Sequence, residues 1–115
     1  MAGIHLFEHS TDAVSVPPGE ILFREGEPGD VMFAVVDGVV ELSQRGRLLA
    51  EVGRGGIVGE LALIDAAPRS ATAAVRSPAT VVPIDRERFT FLVQEHPTFA
   101  LQVMSVMADR LRDLP

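Results

Sequence analysis

The sequence predicts a mainly β fold with flanking helices: a sandwich or barrel of short strands, of which the jelly roll is one type, followed by two helices. From Asp12 to Asp85, short apolar or alternating runs recur between clusters of turn residues. After Pro83 the apolar period changes from that of a strand to that of a helix. The chain has 115 residues, 47% of them hydrophobic, with 10 Gly and 8 Pro, which suits one turn-rich core rather than two. The expected organisation is a single domain over residues 1–115, with a barrel over about 12–85 and helices over about 86–114.

The expected strands run Asp12 to Val16, Ile21 to Arg24, Val31 to Val36, Val39 to Gln44, Leu48 to Val52, Ala71 to Arg76 and Thr80 to Ile84. Between them stand Pro17-Pro18-Gly19, Glu25-Gly26-Glu27-Pro28-Gly29, Asp37-Gly38, Arg45-Gly46 and the cluster Gly53, Gly55, Gly56. Asp37-Gly38 between two Val-rich runs predicts a tight hairpin, because Gly supplies the positive φ that such turns need. Asp85 is a good N-cap for a helix over Arg86 to Glu95, with Phe89, Leu92 and Val93 on one face. His96-Pro97 ends that helix, and Thr98 is expected to cap a second one reaching about Asp113. Its first stripe is Phe99, Val103, Val106, Met107, Leu111 and Leu114, widened by Leu101, Met104 and Ala108. So broad a face exceeds what one barrel side needs, and part of it is expected to meet a partner.

Composition removes several function classes. With no cysteine there is no disulfide, thiolate zinc site or thiol nucleophile. No apolar run reaches the length of a membrane span, and the N-terminus lacks the pattern of a secretion signal, so a cytoplasmic location is expected. The net charge of −6 opposes binding to a polymeric nucleic acid, whose phosphates call for excess Lys and Arg. His5 and His9 share helical i, i+4 spacing, but no motif completes a metal site, and they read as surface residues. His96 reads as a helix-end residue. No serine is framed for a Ser–His–Asp triad, so no catalytic residue is expected and the chain is read as no enzyme.

One segment departs from the strand pattern. In Gly55 to Thr72, Glu60-Leu61-Ala62-Leu63-Ile64 is one helical turn entered from Gly59 and ended before Pro68. A helix start presents unpaired N–H groups, and Gly59 allows a ligand to approach the backbone. Arg69 is the sole cation between Gly55 and Val75, and its planar fork can hold two phosphate oxygens. Glu60 can accept hydrogen bonds from sugar hydroxyls. Together these groups describe a site for a ribose phosphate. The competing readings are an Arg69 paired with Asp65 or Glu60, and a Glu60 that merely complements the helix dipole.

Gly59-Glu60-Leu61-Ala62-Leu63-Ile64 through Pro68-Arg69-Ser70-Ala71-Thr72 resembles the phosphate-binding cassette of the cyclic-nucleotide-binding domain family, which includes catabolite activator proteins and regulatory subunits of cyclic-AMP-dependent protein kinase. The resemblance extends to Pro18 to Gly26, to Met32 to Leu42 and to the C-terminal helices. It implies a β jelly roll (a double-stranded β-helix, cupin-like) with a short cassette helix. It further implies that Arg69 holds the exocyclic phosphate oxygens with backbone N–H groups of Ala62 and Ser70. Glu60 would accept from the ribose 2′-hydroxyl beside the Gly59 backbone, and Val58 would wall the sugar and base. The implied ligand set is Val58, Gly59, Glu60, Leu61, Ala62, Arg69 and Ser70, with no cofactor or metal. The residue after the cassette arginine influences base choice in the family, where Thr tends to accompany cyclic GMP. Ser70 stands there and resembles the cyclic-AMP sensors.

Three departures qualify the likeness. Val58 stands where the family often has Phe. The second helix stops near Leu114, so base-capping contacts are expected to be absent or supplied by another chain. No helix-turn-helix, kinase or channel region is expected after the domain. The expected function is a regulatory module that signals to an effector protein through its C-terminal helices, with a homodimer through the last helix as the preferred assembly. The alternative is a structural or interaction domain that keeps the fold without binding a ligand.

Overall fold

The structure, a computed structural model, describes residues 3–112. Six strands form one antiparallel sheet: β1 (Val14–Val16), β2 (Ile21–Phe23), β3 (Val31–Gln44), β4 (Arg47–Val52), β5 (Ile57–Val58) and β6 (Thr72–Asp85). The backbone order is β1-β6-β3-β4, with β2 added to β6 and β5 to β3. Helix α1 (Glu60–Asp65) interrupts the strands, while α2 (Arg86–Glu95) and α3 (Pro97–Arg112) follow them. This is the mainly β, helix-flanked jelly-roll architecture expected from the sequence.

Two expected hairpin halves are one strand. β3 runs unbroken through Asp37 and Gly38 and pairs with β6 from Val31↔Asp85 to Ser43↔Thr72. Gly38 does take a positive φ of 84°, but in a bulge, where the register shifts on either side of Asp37. Left-handed glycine serves a bulge as well as a hairpin, so the dipeptide alone does not choose between them. The long partner β6 decides it, for it likewise joins the two expected strands at Ala71 to Arg76 and Thr80 to Ile84. The hairpin falls instead at Arg45-Gly46, whose φ values of 53° and 76° suit a two-residue turn between β3 and β4.

The sheet buries both faces. Val35, Val40, Leu42, Val52, Val58, Val75 and Val81 close on Phe23 and Val16 inside the barrel. On the other face Met32, Ala34, Val82 and Ile84 meet Leu92, Phe99 and Val103 of the helices, with Ile4 and Phe7 of the N-terminal segment. Adjacent Val81 and Val82 thus serve different cores, as the two-residue period of a strand requires. Phe7 meets Phe99 edge to face at 5.8 Å.

Asp85 caps α2 as expected, its side chain accepting from the Arg88 N–H at 2.8 Å. α3 starts two residues earlier than expected. Pro97 opens the helix, where its missing N–H costs no bond, and Thr98 lies inside the first turn rather than capping it. Of the α3 stripes, Phe99 and Val103 are buried and Val106 and Met107 half-buried, whereas Leu101, Met104 and Leu111 stand 66%, 59% and 68% exposed. Leu114 and the expected helix end at Asp113 lie outside the described residues. No helix among those described is long and apolar enough to cross a membrane.

Candidate functional site

Gly59 enters α1 with φ 83°, a conformation that side chains rarely tolerate, and it brings no side-chain cap. The helix ends at Ala66, whose N–H donates to the Ala62 carbonyl at 3.1 Å. Asp65 accepts from the Ala67 N–H at 3.0 Å, and the chain then returns along β2. There the Gly26 N–H donates to the Arg69 carbonyl and the Arg69 N–H to the Glu27 carbonyl, each at 2.8 Å. The Gln44 side-chain amide donates to the Ser70 carbonyl at 2.9 Å. The segment that carried no plain strand pattern is therefore a loop tied at both ends to the sheet. Its first residues, Ile57 and Val58, are a short strand that the sequence reading missed.

A cavity of about 340 Å³ lies against this loop. Gly59, Glu60, Leu61, Ala62, Arg69 and Ser70 line it, six of the seven expected residues. Val58 does not. It is fully buried in the barrel core below, because the strand period turns its side chain inward where a wall residue was expected. Phe23, Leu42, Leu49, Met107 and Leu111 give the cavity apolar walls.

Arg69 is 7% exposed, and among the described residues no carboxylate lies within ion-pair distance of it. Its Nη2 donates to the Val31 carbonyl at 2.8 Å and its Nη1 to the Gly59 carbonyl at 3.3 Å. The Phe23 ring lies 4.1 Å from the guanidinium carbon, a cation–π distance. The Nε atom is buried without a partner. Burial lowers the Arg69 pKa from its ordinary value, opposed by Asp30 and Glu27 at longer range. An arginine keeps its proton under such pressure, so the cavity wall carries a desolvated positive charge. The readings that paired it with Asp65 or Glu60 do not hold in this arrangement.

Glu60 is 3% exposed and already has a cation, though not the expected one. Nη1 of Arg110, on α3, donates to both carboxylate oxygens at 2.7 and 2.8 Å. Its Nη2 donates to the Ile57 carbonyl at 2.5 Å. Sequence reasoning passed over Arg110, yet a signal was present: it follows Val103, Val106 and Met107 at helical spacings, a lone cation in an apolar stripe.

The histidines stand apart from one another in their contacts. His5 faces Glu8 at 3.0 Å, His96 closes α2 through its N–H to the Leu92 carbonyl, and no metal-holding cluster occurs among the described residues.

Comparison with known proteins follows this geometry closely. The sequence model of the cyclic nucleotide-binding domain matches residues 13–96. The CRP-like cAMP-activated global transcriptional regulator of Mycobacterium tuberculosis is 34% identical over 104 residues, covering 86% of this chain and 46% of that protein. A cyclic nucleotide-gated potassium channel of Mesorhizobium japonicum is 38% identical over 88 residues, covering 76% of this chain and 24% of the channel. Among solved structures, the catabolite activator protein of Thermus thermophilus superposes with a TM-score of 0.78 at 30% identity, over 88% of this chain and 50% of that one. The chain thus spans half or less of each of these relatives.

Proposed function

Because this chain belongs to the cyclic nucleotide-binding domain family, we propose that its cavity binds one cyclic nucleotide, cyclic AMP in preference to cyclic GMP, and that α2 and α3 pass the event to a partner. The observation that carries the reading is Arg69: a buried cation on a cavity wall, without a carboxylate and with its Nε unpartnered. A small phosphate monoanion would compensate that charge and take the free donor.

The remaining roles follow from the same wall. Backbone N–H groups of Ala62 and Ser70 assist Arg69 at the phosphate. Glu60 takes the ribose 2′-hydroxyl, since a carboxylate has lone pairs to spare while holding Arg110. The base lies among Leu49, Leu61, Met107 and Leu111, the apolar part of the lining. Val58 then acts only from beneath, as support. The preference for cyclic AMP is supported by Ser70 and by the cAMP-activated relative. We read residues 1–115 as one such module, cytoplasmic and without catalysis.

Signalling follows from the Glu60–Arg110 pair, which joins the cassette to α3. A ligand that touches Glu60 changes what α3 gains by staying, and only such a difference in affinity can shift the helix. The exposed Leu101 and Met104 are the contact offered to an effector or a second copy.

Calorimetric titration with cyclic AMP, cyclic GMP and 5′-AMP tests the proposal. Micromolar or tighter binding of cyclic AMP, weaker binding of cyclic GMP and little of 5′-AMP is the expected result. No binding of either cyclic form would overturn it in favour of a ligand-independent interaction domain.

A further inference from the structure

The room that Arg69 occupies comes from a missing side chain elsewhere. Gly29 lies in the loop between β2 and β3, and its own φ is outside the left-handed region. Its backbone therefore does not call for glycine. Its neighbour does: a Cβ on Gly29 would lie 2.2 Å from Arg69 Nε, 2.4 Å from Cζ and 2.5 Å from Nη2. The guanidinium has other neighbours to keep: the Phe23 ring centroid lies 4.1 Å from Cζ, and Nη2 donates to the Val31 carbonyl at 2.8 Å. The loop cannot drift away to make space, because Gly26 and Glu27 are bonded to the Arg69 backbone.

We infer that Gly29 is a positioning residue for phosphate capture: it sets the depth and angle of the Arg69 fork by leaving the volume the guanidinium fills. This rests on the reading of the cavity as the nucleotide site. Gly59 also borders the fork, with a built Cβ 2.7 Å from Nη1, but its φ of 83° would strain any replacement. Gly29 separates the two effects. What a methyl group there meets is the far end of a flexible side chain, so the fold survives and the guanidinium is displaced.

Gly29→Ala is expected to weaken cyclic AMP binding on the order of tenfold, about one charge-assisted hydrogen bond. The melting point of the unliganded protein should move little. In an Arg69→Lys background, which has no fork to displace, the same change should cost less than about twofold. Equal losses in both backgrounds would overturn the inference, since a general disturbance does not depend on residue 69. A second readout needs no nucleotide. The Arg69 Nε–H resonance, assigned by its loss in Arg69→Lys, should exchange slowly in the wild type and shift or exchange fast in Gly29→Ala. An unchanged resonance also overturns the inference. Should the wild type bind no cyclic nucleotide, the reading of the cavity falls, while this resonance still decides whether Gly29 places the fork.

Discussion

Replacing Arg110 by alanine removes two hydrogen bonds to the Glu60 carboxylate and one to the Ile57 carbonyl in a single step. The partner left behind is 3% exposed, so water cannot readily take over. Breaking a buried pair from one side costs about 3–5 kcal/mol. The Arg110 side chain is 30% exposed, which places the expected loss at the lower end, about 3 kcal/mol. For a chain of this size that lowers the thermal midpoint by roughly 10–15 °C. Glu60→Gln alone leaves a neutral amide facing a partly hydrated cation and should cost less. The double variant Glu60→Gln, Arg110→Ala should then recover about 1 kcal/mol or more of the sum of the single losses. Chemical denaturation of the four proteins, with unchanged slopes, measures this. Strict additivity would refute the view that the two side chains form one unit, and with it the link from cassette to α3.

Other expectations follow from single contacts. Arg69→Ala should fold normally but lose about 2–4 kcal/mol of cyclic AMP binding, on the order of a hundredfold, by calorimetry. Glu60→Gln should lose less affinity than Arg69→Ala; an equal or larger loss would reverse their ranking. Gly38→Ala should destabilise by about 2 kcal/mol or more in chemical denaturation, because a Cβ would meet the Pro78 carbonyl oxygen at 2.3 Å with φ at 84°. Asp12 has its pKa lowered by the Ser10 hydroxyl and by Arg88. Its folded pKa lies below the unfolded value, so the pair stabilises above that value and the contribution is lost as pH falls through the depressed one. Asp12→Asn should flatten the stability profile below about pH 4, by less than about 1 kcal/mol for so exposed a pair.

Much of this molecule was readable from local chemistry. The Asp85 cap, the helix it starts and most strand segments depend on neighbours in sequence, and they stand where expected. That Gly59, Glu60 and Arg69 border one cavity was readable for the same reason, since they lie within one short segment. What escaped the reading depends on distant segments. Asp37-Gly38 has the composition of a hairpin, and only β6 alongside makes it a bulge. Ile57 and Val58 are too few to show a period and are strand because Phe33 and Ala34 receive them. Val58 faces the core because of that pairing. Arg110 finds Glu60 from 50 positions away, and Gly29 serves a guanidinium 40 positions on. Arg110 shows itself locally only as a lone cation in an apolar stripe, and nothing local names its partner or that of Gly29.

The edge-to-face contact of Phe7 with Phe99 gives α3 mechanical character. Its first turns are clamped by Phe7, Phe89 and the outer core, whereas its last turns touch the cassette mainly through Met107, Leu111 and the Arg110 pair. In the signalling proposed above, α3 acts as a lever held as far as Val103, 1% exposed in the outer core. Seven residues at about 1.5 Å each make an arm of roughly 10 Å from there to Arg110. A tilt of about 15° would carry the tip about 3 Å, enough to part Arg110 from Glu60. A rotation that leaves the aromatic hinge in place would thus open or close the far end.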